Sequence, residues 1–151
     1  MKKVSEKFQN TSLALLRITI GWLFLYAGWT KIIDASWSAA GYLNNAQAFP
    51  NFFAALTQPG VIDIVNTLNQ WGLFLIGFAL IFGAFVRISS VLGIVLMFLY
   101  YLPVAAFPHV EHGYIVDDHI VYIVVFVVLI AFDAGHYWGL DRFLNRLWTK
   151  N

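Results

Sequence analysis

Leu13-Ala-Leu-Leu-Arg17-Ile-Thr-Ile-Gly21-Trp-Leu-Phe24-Leu-Tyr-Ala-Gly28-Trp-Thr-Lys31-Ile-Ile33 is a nearly unbroken apolar run, and its length decides the solvent in which the chain folds. A helix that crosses a bilayer needs about 20 mostly apolar residues, because the hydrocarbon core is about 30 Å thick and each residue rises about 1.5 Å. The run meets that length. Further segments of the same kind are Leu68 to Val86, Ile88 to Phe107 with Pro103 near its end, and a last one whose uninterrupted apolar part is Ile120 to Phe132. That last part would cover only about 20 Å as a helix, so its polar flanks are expected at membrane depth, sheltered by neighbouring helices. A cleaved signal peptide is the rival reading of the first run, since Lys2, Lys3 and Lys7 precede it. The length of the run and the spans that follow favour a membrane helix.

Composition agrees. Of 151 residues, 60% are apolar and 11% charged, against about half and about a quarter in an ordinary soluble domain. The expected fold is therefore all-α, a polytopic membrane four-helix bundle that forms a single domain over residues 1–151, with membrane lipid as its surroundings. A net charge of +1 supplies no basic field for a phosphate backbone, which sets nucleic acid aside. The chain has no cysteine, so disulfides, thiolate nucleophiles, iron–sulfur ligation and covalent haem attachment are outside its chemistry. A redox role would have to use a bound cofactor or substrate.

If the spans alternate, Lys2, Lys3, Lys7, Arg87, Arg142, Arg146 and Lys150 all fall on one side, and Asp34, Asp63, Glu111, Asp117 and Asp118 on the other. Lys and Arg in short loops mark the cytoplasmic face, so both termini are expected inside the plasma membrane. The outer stretch from Asp34 to Thr67 is too long for a bare connector. Its Trp37, Tyr42, Phe49, Phe52, Phe53 and Leu56 predict an interfacial helical cap on the outer mouth, and Pro59-Gly60 a turn before the second span.

Residues Arg17, Gly21, Phe24, Gly28 and Lys31 share one helical face, as do Asn69, Gly72, Ala79 and Gly83, and His119, Tyr122, Phe126, Leu129, Asp133 and His136. The glycines read as close packing. A charge within a span must be paired or wet. Antiparallel first and fourth helices would bring Arg17 level with Asp133 as a structural pair, and Lys31 level with Asp117, Asp118 and His119. Lys31, Asp118 and His119 are accordingly the candidate catalytic residues at the outer mouth, with Asp117 expected to point away from the bundle axis.

His109, Glu111, His112, Asp117, Asp118 and His119 crowd one short stretch, which suits proton relay or anion binding with Lys31. Metal binding is not favoured, because neither a helical H-x-x-x-H nor a cysteine supports it. Ligation of haem by paired histidines fares no better, since His136 lies on the opposite side from the other three. Among the aromatics, Trp29, Trp37 and Trp71 fall near the outer interface and Trp138 and Trp148 near the inner one, as a belt would. Trp22, Tyr26, Tyr100, Tyr101 and Tyr122 lie deeper and could line a flat pocket for a quinone ring; Trp29, Tyr100 and Tyr122 are the candidate ring-binding residues.

Leu16-Arg17-Ile-Thr-Ile-Gly21-Trp-Leu-Phe24-Leu-Tyr-Ala-Gly28-Trp-Thr-Lys31 resembles the opening helix of the DoxX-like membrane proteins. Gly77 to Arg87, ending Gly83-Ala-Phe-Val-Arg87, resembles that family's second helix, and Asp118-His119 through Gly139-Leu140-Asp141 is similar to the last helix and tail of its DoxD branch. The likeness runs from about Leu13 to Leu144. It implies a membrane bundle and, through the DoxD branch, a subunit of thiosulfate:quinone oxidoreductase, with a quinone as electron acceptor and a second oxidoreductase subunit as partner. A homo-oligomer is a further possible assembly. Two other classes stay open at this point: a non-enzymatic membrane anchor or assembly partner of a redox complex, and a small transporter or lipid-binding bundle, though inverted repeats and broken helices are not evident.

Overall fold

The computed structural model of the chain describes residues 5–105 and 113–143, and between them the backbone of 109–110. The architecture is all-helical. Three helices are long and apolar enough to cross a membrane: α1 (Glu6–Ile33), α4 (Val61–Phe82) and α5 (Val86–Val104). Between α1 and α4 lie the short helices α2 (Ala40–Asn44) and α3 (Pro50–Ala55). After α5 a two-residue antiparallel pairing, His109–Val110 with Gly113–Tyr114, leads to α6 (Asp118–Ala131), an apolar helix too short at 14 residues to span by itself. A single 3-10 turn, Ala134–His136, follows. Helix α4 starts at Val61, so the second apolar segment and its polar lead-in form one continuous helix.

Small residues set the helix spacing. Gly21 lies against Gly77 and Leu80, and Gly28 against Gln70 and Phe74, so α1 and α4 run antiparallel in close backbone contact. A Cβ on Gly77 would overlap the backbone of Leu25 and Gly21, which is why a side chain is not tolerated there. Gly93 of α5 receives the ring of Phe126 from α6, and Phe24 of α1 meets Phe126 edge-on at 5.2 Å and Tyr122 at 6.1 Å. Phe24, Leu80, Met97, Phe126 and Leu129 fill the middle of the molecule. A second, separate apolar cluster of Ala39, Leu43, Ala46 and Phe53 holds α2 and α3 against the ends of α4 and α5.

The outward faces are as apolar as the core. Leu15, Trp22, Tyr26, Leu75, Phe78, Leu92, Val95 and Val124 are all exposed, as expected of helices whose solvent is lipid. Trp22 and Tyr26, expected as possible lining of a ring pocket, instead face outward from α1 and are exposed. Their helix turns its Gly21–Phe24–Gly28 face to its neighbours, and residues one or two positions along point the other way.

Two ends can be distinguished. At the turn end α4 passes into α5 through Gly83 (φ +65°) and Phe85 (φ +53°). At the loop end α2 and α3 pack over the termini of the long helices.

Candidate functional site

At the turn end Arg17 is fully buried, and it is not paired with Asp133. Its Nη1 donates to the carbonyls of Ala134 (2.5 Å) and Tyr137 (3.0 Å), and its Nη2 to that of Trp138 (3.1 Å). Asp133 instead meets Arg87 at 2.8 Å in an exposed ion pair. The physical reason is local. Helix α6 ends at Ala131 and Asp133 adopts a left-handed conformation (φ +45°), which turns its carboxylate outward and folds the following carbonyls toward Arg17. The guanidinium fork can take several carbonyls at once where one carboxylate could not satisfy the turn.

The tail closes the same end. Asp141 accepts hydrogen bonds from the amides of Phe85 (2.6 Å) and Val86 (2.9 Å), the unsatisfied donors at the start of α5. The Asp141 and Leu140 amides donate to the carbonyls of Gly83 and Phe82. Gly83 must be glycine on two counts: its φ is positive, and a Cβ would strike Gly139 and the Arg17 guanidinium.

The loop end has a different character. Asp117 is buried, caps α6 by accepting the Ile120 amide (3.1 Å), and holds Nδ1 of His119 at 2.6 Å. Asp118, the next residue, is exposed. The assignment of the two carboxylates is thus the reverse of the one expected, because Asp117 precedes the helix as its N-cap rather than lying on its first turn. The His119 ring stands edge-on to Tyr100 at 5.8 Å. The Tyr100 hydroxyl donates to Oδ1 of buried Asn69 (2.7 Å), and the Tyr100 carbonyl accepts the hydroxyl of Tyr42 (2.6 Å).

Beside this chain of contacts lies a cavity of about 200 Å³ between α4, α5 and the short helices. Leu43, Phe53, Leu56, Val65, Leu96 and Leu99 make its apolar wall, and Tyr42, Asn69 and Tyr100 supply its polar groups.

Of the sequence candidates, the structure brings Tyr100 and His119 together. Tyr122 packs on Phe24 nearby, deeper in the bundle. Trp29 is half exposed on the outward face, against Phe74. Lys31 is not drawn to the α6 carboxylates; its Nζ sits 5.3 Å from the centre of the Trp37 ring and 3.5 Å from the Ala27 carbonyl, and among the described residues it makes no ion pair. Asp34 also turns to its own loop. It accepts the Ser36 hydroxyl (2.6 Å) and amide (2.9 Å), which hold its carboxyl below the usual carboxylate range. Glu111 and His112 lie outside the described residues, as does the side chain of His109. No group of three potential metal ligands occurs among the described residues. Asn69 and Asp117 were missed as site residues. A carboxamide at the start of an apolar run, and an aspartate immediately before one, were the signals available.

The family profile of DoxX matches residues 12–106, well over half of the chain. The chain belongs to the DoxX family. No curated protein and no solved structure matches it. The DoxX match takes in α1 to α5, and with them Lys31, Asn69 and Tyr100, whereas Asp117, Asp118 and His119 stand beyond it. Family membership and three apolar spanning-length helices make this a membrane protein. Within the DoxX frame, the loop-end cavity is the place where a polar cluster, aromatic rings and an apolar chamber coincide.

Proposed function

We propose that this DoxX protein is the membrane subunit of a quinone-linked oxidoreductase and that the loop-end cavity receives the quinone ring. The observation that supports the reading is the chain of contacts from buried Asp117 through His119 to Tyr100 and Asn69, the last two of which line a mostly apolar chamber. Such a chamber suits a flat apolar ring, and its few polar groups suit the ring's oxygens. Asp117 orients the imidazole by binding Nδ1, which leaves Nε2 as the atom able to hand a proton onward. Tyr100 offers a hydroxyl at the chamber wall. A quinone bound there would take up two electrons and two protons.

Thiosulfate as the electron donor follows from the likeness of the tail to the DoxD branch. Two thiosulfates would join through a sulfur–sulfur bond and release the two electrons, with a second subunit as the partner that carries out this half of the reaction. In this reading α6 completes a four-span bundle, α2 and α3 form an interfacial cap, and the loop end faces outward from the plasma membrane with both termini cytoplasmic. Lys31, close to that mouth, would attract the anionic donor, and exposed Asp118 would exchange protons with solvent.

The test is to purify the chain from membranes with its partners, extract bound quinone, and measure thiosulfate-dependent quinone reduction. His119→Phe and Tyr100→Phe should each cut turnover per folded molecule at least tenfold while leaving the amount of folded protein nearly unchanged. Undiminished turnover in both variants would sink the proposed site. A marked drop in the amount of folded protein with turnover per folded molecule unchanged would favour the anchor role instead.

A further inference from the structure

Asn69 carries an unmet hydrogen-bonding capacity. It is only 7% exposed, its Oδ1 is taken by Tyr100, and among the described residues its Nδ2 has no acceptor. Nδ2 is not sealed in the packed core; it is a donor without a protein acceptor on a residue that lines a cavity, a position that a ligand acceptor can fill. Asn69 lines the cavity, where its neighbours on α4 and α5 are Val65, Leu68, Leu96 and Leu99. The partner it lacks is an acceptor carried on an apolar frame.

The way into the cavity is from the side. Its roof is shut by Leu43 (8% exposed) and Phe53 (2%), and is tied down by the Tyr42 hydroxyl on the Tyr100 carbonyl and the Gln47 amide on the Pro103 carbonyl (2.7 Å). Leu68 and Leu99, by contrast, are 68% and 46% exposed on the outward faces of α4 and α5. At about 200 Å³ the cavity is smaller than the roughly 300–1,000 Å³ of sites that enclose a whole ligand. That volume suits a headgroup whose tail remains outside the cavity.

We propose that a quinone ring enters sideways from the bilayer between Leu68 and Leu99, and that Asn69 Nδ2 donates to its carbonyl, so that the oxidised ring is held in preference to the quinol. This rests on the quinone reading above and adds a selecting residue and a direction of access. A quinone carbonyl is a pure acceptor and matches the free amide donor, whereas a quinol hydroxyl must also place a proton, for which the lining offers only the oxygens of Tyr42 and Tyr100. Tyr42 and Tyr100 both line the cavity with their rings at 75° to each other, and such aromatic surfaces suit a flat ring. A phospholipid ester carbonyl shares the acceptor chemistry and has to be separated by experiment.

The full chain is placed in nanodiscs and titrated with a decyl-tailed benzoquinone and with its quinol, by calorimetry and by stopped-flow. The oxidised form should bind about tenfold more tightly than the quinol. Asn69→Leu should weaken quinone binding about tenfold and leave quinol binding nearly unchanged, which corresponds to one hydrogen bond of about 1.4 kcal/mol. If that variant does not fold, Asn69→Asp keeps an acceptor for Tyr100 while removing the amide donor, and should show the same loss. Leu99→Trp, at a lipid-facing position, should slow quinone association at least tenfold without lowering the melting temperature. Wild-type protein that binds neither ring form would overturn the functional reading itself. Tight quinone binding that ignores the Asn69 variants, or equal affinity for quinol, would overturn this inference alone. Displacement of the quinone by added phospholipid would do the same and assign the cavity to a lipid ester.

Discussion

Arg17 at the turn end and Asn69 at the loop end are both polar, both buried in an apolar bundle, and both on the inward face of a long helix, yet they are satisfied differently. The Arg17 guanidinium makes bonds to three backbone carbonyls of the segment that follows α6, and the tail it gathers is latched further by Asp141 on the α5 amides. Asn69 has one bond, to a tyrosine beside a cavity, and an amide donor left over. A charge spent on backbone carbonyls fixes structure. Among the described residues Arg17 Nε also lacks a partner, but it is sealed from any ligand, whereas the Asn69 amide borders a cavity that can supply an acceptor. Where a buried group's partners come from thus separates the two ends better than the presence of charge does.

The largest expected effect breaks the turn end. Arg17→Leu strips three carbonyls of their donor in a buried site and should destabilise the protein by about 3 kcal/mol or more, since hydrogen bonds from charged donors are worth about 1.5–3 kcal/mol each and unsatisfied acceptors add a penalty. The readout is thermal or denaturant unfolding in detergent. Stability within about 0.5 kcal/mol of wild type would show that Arg17 is not the clasp described here.

Next in size is the shared contact that holds both ends in register. Gly77→Ala puts a methyl group into the backbone of α1, so the helices must separate, at a cost of about 1–3 kcal/mol. Gly72→Ala is its control, because a Cβ there meets nothing within 4 Å. Equal effects for the two would contradict the close packing of α1 on α4.

The third prediction sharpens the loop end. Asp117→Ala removes a helix cap as well as the partner of His119, and should cost about 1 kcal/mol of stability and a larger share of any quinone-dependent activity. Asp118→Ala should change stability by less than about 0.5 kcal/mol, as exposed substitutions usually do. The reverse ranking would restore the sequence-based expectation that Asp118 faces the bundle.

The smallest effect belongs to the exposed pair. Arg87→Gln and Asp133→Asn should each shift stability by about 0–1 kcal/mol, the usual range for surface ion pairs. In a double-mutant cycle, Arg17→Leu and Asp133→Asn should act additively. A coupling above about 1 kcal/mol between them would mean that Asp133 does reach the buried arginine.

The apolar runs and their spacing determined the helices, the membrane setting and the inward faces, because a span of about 20 apolar residues has few alternatives in water or in lipid. The glycines read as close packing lie in the contact of α1 with α4, and Phe24 of α1 meets Phe126 of α6, but the charged groups matched by level between α1 and α6 did not pair. What the sequence alone left undetermined was the identity of polar partners. Arg17 and Asp133 share a level, but helix α6 stops at Ala131 and a left-handed residue redirects the chain, so backbone carbonyls arrive where a carboxylate was expected. Asp117 and Asp118 are adjacent, and only the exact start of α6 decides which is buried. Asn69 and Tyr100 belong to different helices and met only once α4 and α5 were packed, with α2 and α3 closing a roof above them. Periodicity assigns a residue to a face; a hydrogen bond depends on ångström-scale placement of two side chains from distant parts of the chain, and that is a property of the tertiary fold.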